Sequence, residues 1–381
     1  MEYLFLATSS VVSAIVNAVH GRPREAARSV VVFKLDHLGD LISAAPAISA
    51  IRHIHPDAEL TLVVGSWCEE LARALFPVDI VVAYDSPRFD RAEAGMQAER
   101  RALRDVLGGR SFDIAYGLRD DRSSLSFCLW GGAKRRRDRG SVRIRDRAGR
   151  LAARLLGRGD PGPRSESDTN LLIAGVSPEA STASGRLEPR PSDVEQVEQD
   201  VRRSRAGATG PLIVLHPGAA WVHRRWPVER YAELAAAVRE ELDAVVFVTG
   251  SAGERELADL VVATESPGHV VAGEYGIGEV AALLSLADVF VGADTGITHL
   301  ASAMGCAVVA LFGPGDPRRF TLNGTRDATL YVQQDCSPCG QSECDRDGAC
   351  MKAIGVADVH AEVLRAVRGG EPDDAETGGG V

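Results

Sequence analysis

Two stretches of this chain begin in the same way. Val30–Leu35 and Leu212–His216 are short, mostly β-branched or aliphatic runs. Each is followed by a turn containing glycine, Gly39 or Gly218, and then by residues with helical periodicity. After the first run, Leu41, Ala44, Ala45 and Ile48 recur at i, i+3, i+4 and i+7. After the second, Tyr231, Leu234, Ala235, Val238 and Leu242 form one apolar face. An apolar run of this length bounded by turn residues reads as a strand buried on both faces. Strands alternating with helices make a parallel sheet covered by helices. Further strands are predicted at Leu60–Gly65, Ile80–Tyr84 and Phe112–Gly117 in the first half, and at Ala244–Val248, Val289–Gly292 and Ala307–Phe312 in the second. The fold class is therefore α/β, with two Rossmann-like domains. Ligands of such sheets bind beyond the carboxyl ends of the strands, so two sheets facing a central cleft would share one site.

A length of 381 residues suits two domains of this size. The expected division is a helix at 1–25, a first domain at 26–175, a linker at 176–210, a second domain at 211–368 and a disordered tail at 369–381. Within the first helical stretch Pro46 must break or restart the helix, because proline lacks an amide donor. The apolar start, Tyr3–Val19, reads against a secretory signal, since Glu2 stands where a positive segment is needed. Its Ser, Thr and Asn residues make it a poor membrane span. A helix packed on the first domain is expected there, with a peripheral helix at the inner membrane as the alternative. The net charge of −10 argues against a dedicated nucleic-acid binder. Residues 134–158 run the other way, with eleven Lys or Arg against two Asp. That segment suits anionic lipid or a charged acceptor, or else a solvated helix face.

Three motifs can carry chemistry. In Lys34-Leu35-Asp36-His37-Leu38-Gly39-Asp40, the glycine allows a tight turn and Asp40 falls near a helix start. A carboxylate there can take a proton from an attacking hydroxyl, or simply cap the helix. In His216-Pro217-Gly218-Ala219-Ala220 and His223-Arg224-Arg225-Trp226-Pro227, Gly218 permits close backbone approach to a ligand, and Arg224 or Arg225 can fork onto phosphate. In Asp294-Thr295-Gly296-Ile297-Thr298-His299-Leu300, a strand runs into a helix whose free amides suit phosphate. Asp294 suits a sugar hydroxyl better, by charge. Neither first strand is followed by GxGxxG, and GxxxxGK[ST] is absent, which reads against dehydrogenases and P-loop NTPases.

These motifs, in this order and together with Phe312-Gly313-Pro314-Gly315-Asp316-Pro317, resemble glycosyltransferase family 9, the heptosyltransferases, whose fold is GT-B. The resemblance runs from about Val30 to Val367 and is strongest in the second half. It implies an inverting transfer of heptose from ADP-heptose to an acceptor hydroxyl of lipopolysaccharide or another cell-surface glycan, in the cytoplasm, with no required cofactor. By position, Asp40 resembles the family's general base. Arg224 stands at its phosphate-binding lysine, and Arg225 is the neighbouring candidate. Glu254 matches the carboxylate on the donor ribose, and Tyr275 falls near the adenine segment. Asp294 matches the heptose contact, Thr295 and Gly296 match the diphosphate amides, and His299 belongs to the same motif. The expected partners are the nucleotide-sugar donor and a glycan or lipid-linked acceptor, with peripheral membrane contact and no nucleic acid. Three departures bear on donor and acceptor choice: Arg224 for lysine, Ala219 and Ala220 where relatives carry a hydroxyl, and His37 where the lipopolysaccharide enzymes often have serine.

Cys68, Cys128 and Cys306 lie in apolar sequence and read as buried thiols. Cys336, Cys339, Cys344 and Cys350 are spaced C-x2-C-x4-C-x5-C, which admits a structural metal, two disulfides or reduced thiols. Two other functions compete with heptose transfer. One is a transferase using a different sugar nucleotide on a protein or small molecule. The other is a non-catalytic sugar-nucleotide binding module, against which the pairing of Asp40 with Asp294 speaks.

Overall fold

A computed structural model of the chain describes residues 27–87, 96–118, 123–138, 165–178, 186–262, 268–317, 322, 324–339 and 343–370. The chain divides into two compact units between Arg186 and Leu187. The expected N-terminal helix at 1–25, and the tail beyond Gly370, lie outside the described residues.

The first unit contains β1 (Ser29–Phe33), α1 (Leu38–Ser43), α2 (Ala45–Ile54), β2 (Glu59–Val64), α3 (Glu69–Leu75), β3 (Ile80–Ala83), α4 (Met96–Val106), β4 (Phe112–Gly117), α5 (Ser123–Trp130), β5 (Ala133–Asp138) and α6 (Glu166–Ala174). Its five strands run parallel in the order β3-β2-β1-β4-β5. Central β1 pairs with both neighbours, Val31 facing Thr61 on one side and Ala115 on the other. That position explains why Val30–Phe33 is apolar on both faces and fully buried. Phe33 stacks on Phe127, which meets the edge of Trp130. Pro46 sits in the first turn of α2, where its missing amide is harmless, so the helical stretch divides into α1 and α2 at Ala44.

The basic segment begins as a strand and not as a helix. Lys134–Arg137 lie on β5, at the edge of the sheet, and Lys134 pairs with Asp113 at 2.9 Å. Charge on an edge strand discourages pairing with another chain. Residues 139–158 fall outside the described residues.

The second unit contains α7 (Pro191–Arg205), β6 (Leu212–His216), α8 (Val228–Leu242), β7 (Val245–Val248), α9 (Arg255–Val262), β8 (His269–Val270), α10 (Ile277–Leu286), β9 (Val289–Ala293), α11 (Gly296–Met304), β10 (Ala307–Phe312), β11 (Ala328–Tyr331), α12 (Ala349–Ala353) and α13 (Val356–Val367). Its six parallel strands are ordered β11-β10-β9-β6-β7-β8. The core on one side joins Leu215, Trp226, Tyr231, Val291, Leu311 and Val363. Trp226 is 1% exposed, donates from Nε1 to the Ile354 carbonyl at 3.0 Å and meets Tyr231 edge-on. Tyr231 in turn donates to the carbonyl of His216 at 3.1 Å. The chain's last helices are thereby tied to the loop after β6.

Two helices fall in the stretch on either side of the unit boundary, one of them, α7, within the expected linker 176–210. Residues 160–211 include α6 and the fifteen-residue α7. Ser165 caps α6 by accepting from the Asp168 amide. Helix α7 buries only Asp193, Val197 and Val201, a stripe too narrow to stand out among its charges. It packs on α10, where Gly278 makes room: a Cβ there would fall 2.5 Å from Asp193 Oδ2. No helix among the described residues is long and apolar enough to cross a membrane.

Candidate functional site

In the first unit the chain goes from β1 outward to β3, then returns to β4 on the other side of β1. The crevice between the carboxyl ends of β1 and β4 is the switch point where such sheets bind ligands. Lys34 follows β1 and Leu118 follows β4. The Lys34 ammonium is wholly buried and donates to the Leu118 carbonyl at 3.0 Å. It also meets Asp36 Oδ2 at 2.9 Å and Glu166 Oε1 at 3.3 Å. Burial pulls the lysine's pKa down, but Asp36, Glu166 and Asp40 together carry it above the ordinary value. The lysine is therefore an ammonium at every physiological pH.

Asp40 lies in the first turn of α1, partly buried, and accepts a backbone hydrogen bond from His37. Burial raises its pKa and Asp36 adds to this, while Lys34 and His37 oppose it, leaving the carboxyl above its usual range. A carboxylate poised in this way is a better proton acceptor than a solvated one. Trp67, on the turn after β2, donates from its indole to the Asp36 carbonyl at 3.0 Å, and its ring centre is 6.3 Å from that of His37. The neighbouring Cys68 thiol is pushed up to about 12 by burial and by Asp40 and Asp36.

In the second unit the switch point falls between β6 and β9. The loops after β6, β7, β9 and β10 leave the sheet side by side, and those after β6, β7 and β9, with the start of α11, hold the predicted donor residues other than Tyr275, which follows β8. Asp294, just after β9, is the junction. Arg224 Nη1 stands 3.6 Å from its Oδ2, and His299 Nε2 stands 3.6 Å from its Oδ1. The loop after β10 closes on the same carboxylate, where a Cβ on Gly315 would fall 2.7 Å from Asp294 Oδ2. Thr295 is the N-cap of α11 and makes no side-chain capping bond there; its hydroxyl lies 3.2 Å from that of Thr298. The first-turn amides from Gly296 onward have no intrahelical partner, which makes this helix end an anion cradle.

The arginine pair divides its work. Arg224 is part-buried, and its guanidinium lies 4.4 Å above the Trp221 ring centre. The Nε of Arg225 donates to the Ala219 carbonyl at 3.0 Å and so braces the loop. Trp221 was not among the sequence-derived candidates; only its proximity to the arginines marked it.

Glu254 lies after β7, with Oε2 accepting from the Ser251 amide at 2.9 Å and the Ser251 hydroxyl at 2.8 Å. Burial raises its pKa, but the Ser251 bonds and the charges of His216 and Arg225 bring it below the usual value. His216 is driven down by burial, with Glu254 and Thr249 opposing. Gly218 leaves room for this carboxylate: a Cβ there would meet Glu254 Oε1 at 2.3 Å. Tyr275, after β8, donates its hydroxyl to Asp200 Oδ2 on α7 at 2.7 Å.

All seven cysteines are free thiols, with Cys68, Cys128, Cys306 and Cys350 buried. Among the described residues no three His, Cys, Asp or Glu side chains converge closely enough to hold a metal ion. Cys336, Cys339, Cys344 and Cys350 are not gathered into such a group among the described residues, and the metal that their spacing admits is not supported here. Cys350 is on buried α12, packed beside Gly313, while Cys336 is exposed.

Residues 181–349 match the sequence profile of glycosyltransferase family 9 (heptosyltransferase). Lipopolysaccharide heptosyltransferase 1 of Pseudomonas aeruginosa is 32% identical over 134 residues, which are 35% of this chain and 38% of that enzyme. The chain thus spans well under half of that relative's length. A lipopolysaccharide core heptosyltransferase of Haemophilus influenzae is 24% identical over 82% of this chain and 86% of its own. Among solved structures, a family 9 glycosyltransferase of Veillonella parvula superposes with a TM-score of 0.71 at 18% identity, over 90% of this chain and 98% of that one. ADP-heptose lipopolysaccharide heptosyltransferase II of E. coli gives 0.65 at 19%, over 90% and 99%. The solved structures share the fold across both units, and residues 181–349 carry the sequence profile of glycosyltransferase family 9.

Proposed function

We propose that this protein is an inverting glycosyltransferase that moves a heptose from ADP-heptose to a hydroxyl of lipopolysaccharide or a related cell-surface glycan. The observation that carries the reading is the convergence on Asp294 of Arg224, His299, the Gly315 loop and the α11 N-terminus at one switch point. A helix end beside a cation fits a diphosphate, and a carboxylate beside an imidazole fits the hydroxyls of a sugar. The heptosyltransferase relatives make ADP-heptose the leading donor. All seven thiols are free, which suits the reducing cytoplasm, where the acceptor would be met at the inner membrane.

In this reaction the acceptor oxygen attacks the anomeric carbon from the face opposite the diphosphate. Its proton passes to the Asp40 carboxylate as the new carbon–oxygen bond forms. The bond from the anomeric carbon to the phosphate oxygen breaks, and its electron pair leaves with ADP. Arg224 and the Thr295–Gly296 amides take the charge that grows on the diphosphate, an electrostatic role that is strongest in the transition state. Glu254 holds the ribose hydroxyls, Asp294 and His299 hold the heptose, and Tyr275 borders the adenine side. Arg225 acts by shaping the loop.

A donor screen tests the proposal. Calorimetry across ADP-, GDP- and UDP-sugars should show binding to ADP-heptose at least about tenfold tighter than to the others, a difference of about 1.4 kcal/mol. Transfer to a glycan acceptor should release ADP and invert the anomeric centre by NMR. Binding of GDP- or UDP-sugars with no affinity for ADP-heptose would overturn the donor assignment.

A further inference from the structure

Trp221 has no part in the chemistry above, yet the loop after β6 is built around it. The backbone closes one 3-10 turn there, Val222–Arg224, with the Arg224 amide donating to the Trp221 carbonyl at 3.0 Å. In such a turn residues three apart eclipse one another, so the Arg224 side chain is carried over that of Trp221. The guanidinium carbon lies 4.4 Å from the indole ring centre. The His223 ring lies 5.7 Å from the same indole, inclined to it by 23°. The turn is held at both ends, since Arg225 Nε donates to the Ala219 carbonyl before it and Trp226 is buried after it.

The polar side of this arginine is uncommitted. Its Nε is buried with no hydrogen-bond partner among the described residues, and its Nη1 stands 3.6 Å from Asp294 Oδ2, outside hydrogen-bonding range. An unpaired buried N–H destabilises the fold, and attraction of the cation to the indole face offsets part of that cost. The pair can still be reached by a ligand: Trp221 is 37% exposed, and the Arg224 side chain 27%.

We infer that Trp221 is a positioning residue for the donor's diphosphate: its ring fixes the plane of the Arg224 guanidinium, so that the arginine meets the phosphates already oriented and with donors free. The inference rests on the proposed role of Arg224 as the diphosphate cation. A long side chain that is ordered only on binding weakens affinity by about twofold to tenfold, and the stack removes that loss beforehand. Tryptophan is the strongest ring partner for a cation, and a planar guanidinium stacks on it in a way that a lysine ammonium does not.

The test is a double-mutant cycle in the full chain, with ADP as the probe and its affinity read by calorimetry to millimolar concentration. Trp221→Leu, at a partly exposed position, should weaken ADP about threefold to tenfold, and Trp221→Phe should recover most of the loss. Made on top of Arg224→Ala, Trp221→Leu should change the affinity less than twofold, because the ring acts through the arginine. A structural disturbance, or direct contact between the indole and the nucleotide, would cost as much in that background as in the wild type. In transfer from ADP-heptose, kcat should fall in Trp221→Leu as well, since the charge on the diphosphate grows in the transition state. The inference is overturned by ADP affinity within twofold of wild type in Trp221→Leu, by an undiminished loss in the Arg224→Ala background, or by phenylalanine that restores no more than leucine. A wild-type chain that binds ADP but transfers no sugar would defeat the transferase reading and leave the cycle to decide this one. A chain that binds no ADP, GDP or UDP would overturn both.

Discussion

Arg224 Nη1 stands 3.6 Å from Asp294 Oδ2, close enough to attract and too far for a tight hydrogen bond. The guanidinium is steadied by the Trp221 ring beneath it and not by the carboxylate. It therefore keeps donors free to turn onto a diphosphate. Arg224→Ala is predicted to lower kcat/KM by about 2–4 kcal/mol, with kcat falling as well as binding, because the leaving-group charge grows in the transition state. Arg224→Lys should recover much of this, having the charge without the planar stack. Arg225→Ala should act mainly through KM, since its guanidinium braces the Ala219 carbonyl. Steady-state kinetics on the three variants check the division of labour; loss of activity in Arg225→Ala alone would reverse the assignment.

Asp40→Asn should keep donor affinity and reduce kcat by about 10²–10⁴-fold, the usual range for a removed general base. The pH profile has a definite sign. Burial and Asp36 hold the wild-type carboxyl above its ordinary value. Below that raised midpoint the base is protonated and activity is lost. The acid limb of kcat should therefore lie above the ordinary aspartate pKa of about 3.9 and vanish in Asp40→Asn. Wild-type turnover in that variant would remove Asp40 from the chemistry.

Gly218 tests the proposed ribose role of Glu254 without altering its charge. The alanine methyl would fall 2.3 Å from Glu254 Oε1, so the carboxylate must move or the loop must shift. Gly218→Ala should raise KM for the donor about tenfold or more, with a smaller change in kcat. An unchanged donor KM would show that Glu254 does not hold the nucleotide.

Trp226 carries a structural prediction. Its indole is buried, hydrogen-bonded to Ile354 and edge-on to Tyr231. Trp226→Ala should destabilise the chain by about 3–5 kcal/mol through the cavity and the lost bond. Thermal unfolding should show this in the second unit, as loosening of α13 from the sheet. A melting temperature within about a degree of wild type would contradict the packing role.

Several of these residues were legible before any coordinates. The strands, the Pro46 break and the positions of Asp40, Asp294 and the α11 N-terminus follow from hydrophobic periodicity and turn chemistry, which act over a few residues. The resemblance to family 9 rested on the same local segments. Helix α6 also left a trace, since Ser165 followed by Asp168 is a capping signal. Helix α7 left very little, because two valines among charges do not make a readable stripe.

By itself the sequence determined which segments become strands and helices, and which polar groups stand at strand ends, because backbone preferences and alternating burial are local. The tertiary structure alone decided which of those groups meet. Arg224 and Arg225 are adjacent and chemically alike; the turn after β6 sends one over Trp221 towards Asp294 and ties the other to Ala219. Gly218 packs against Glu254, thirty-six residues on, a contact that its own segment does not announce. Glu166 joins Lys34 only because the sheet brings the ends of β1 and β4 together and α6 packs over them. Contacts across 132 residues depend on how layers stack, and no pattern within a single segment contains that information.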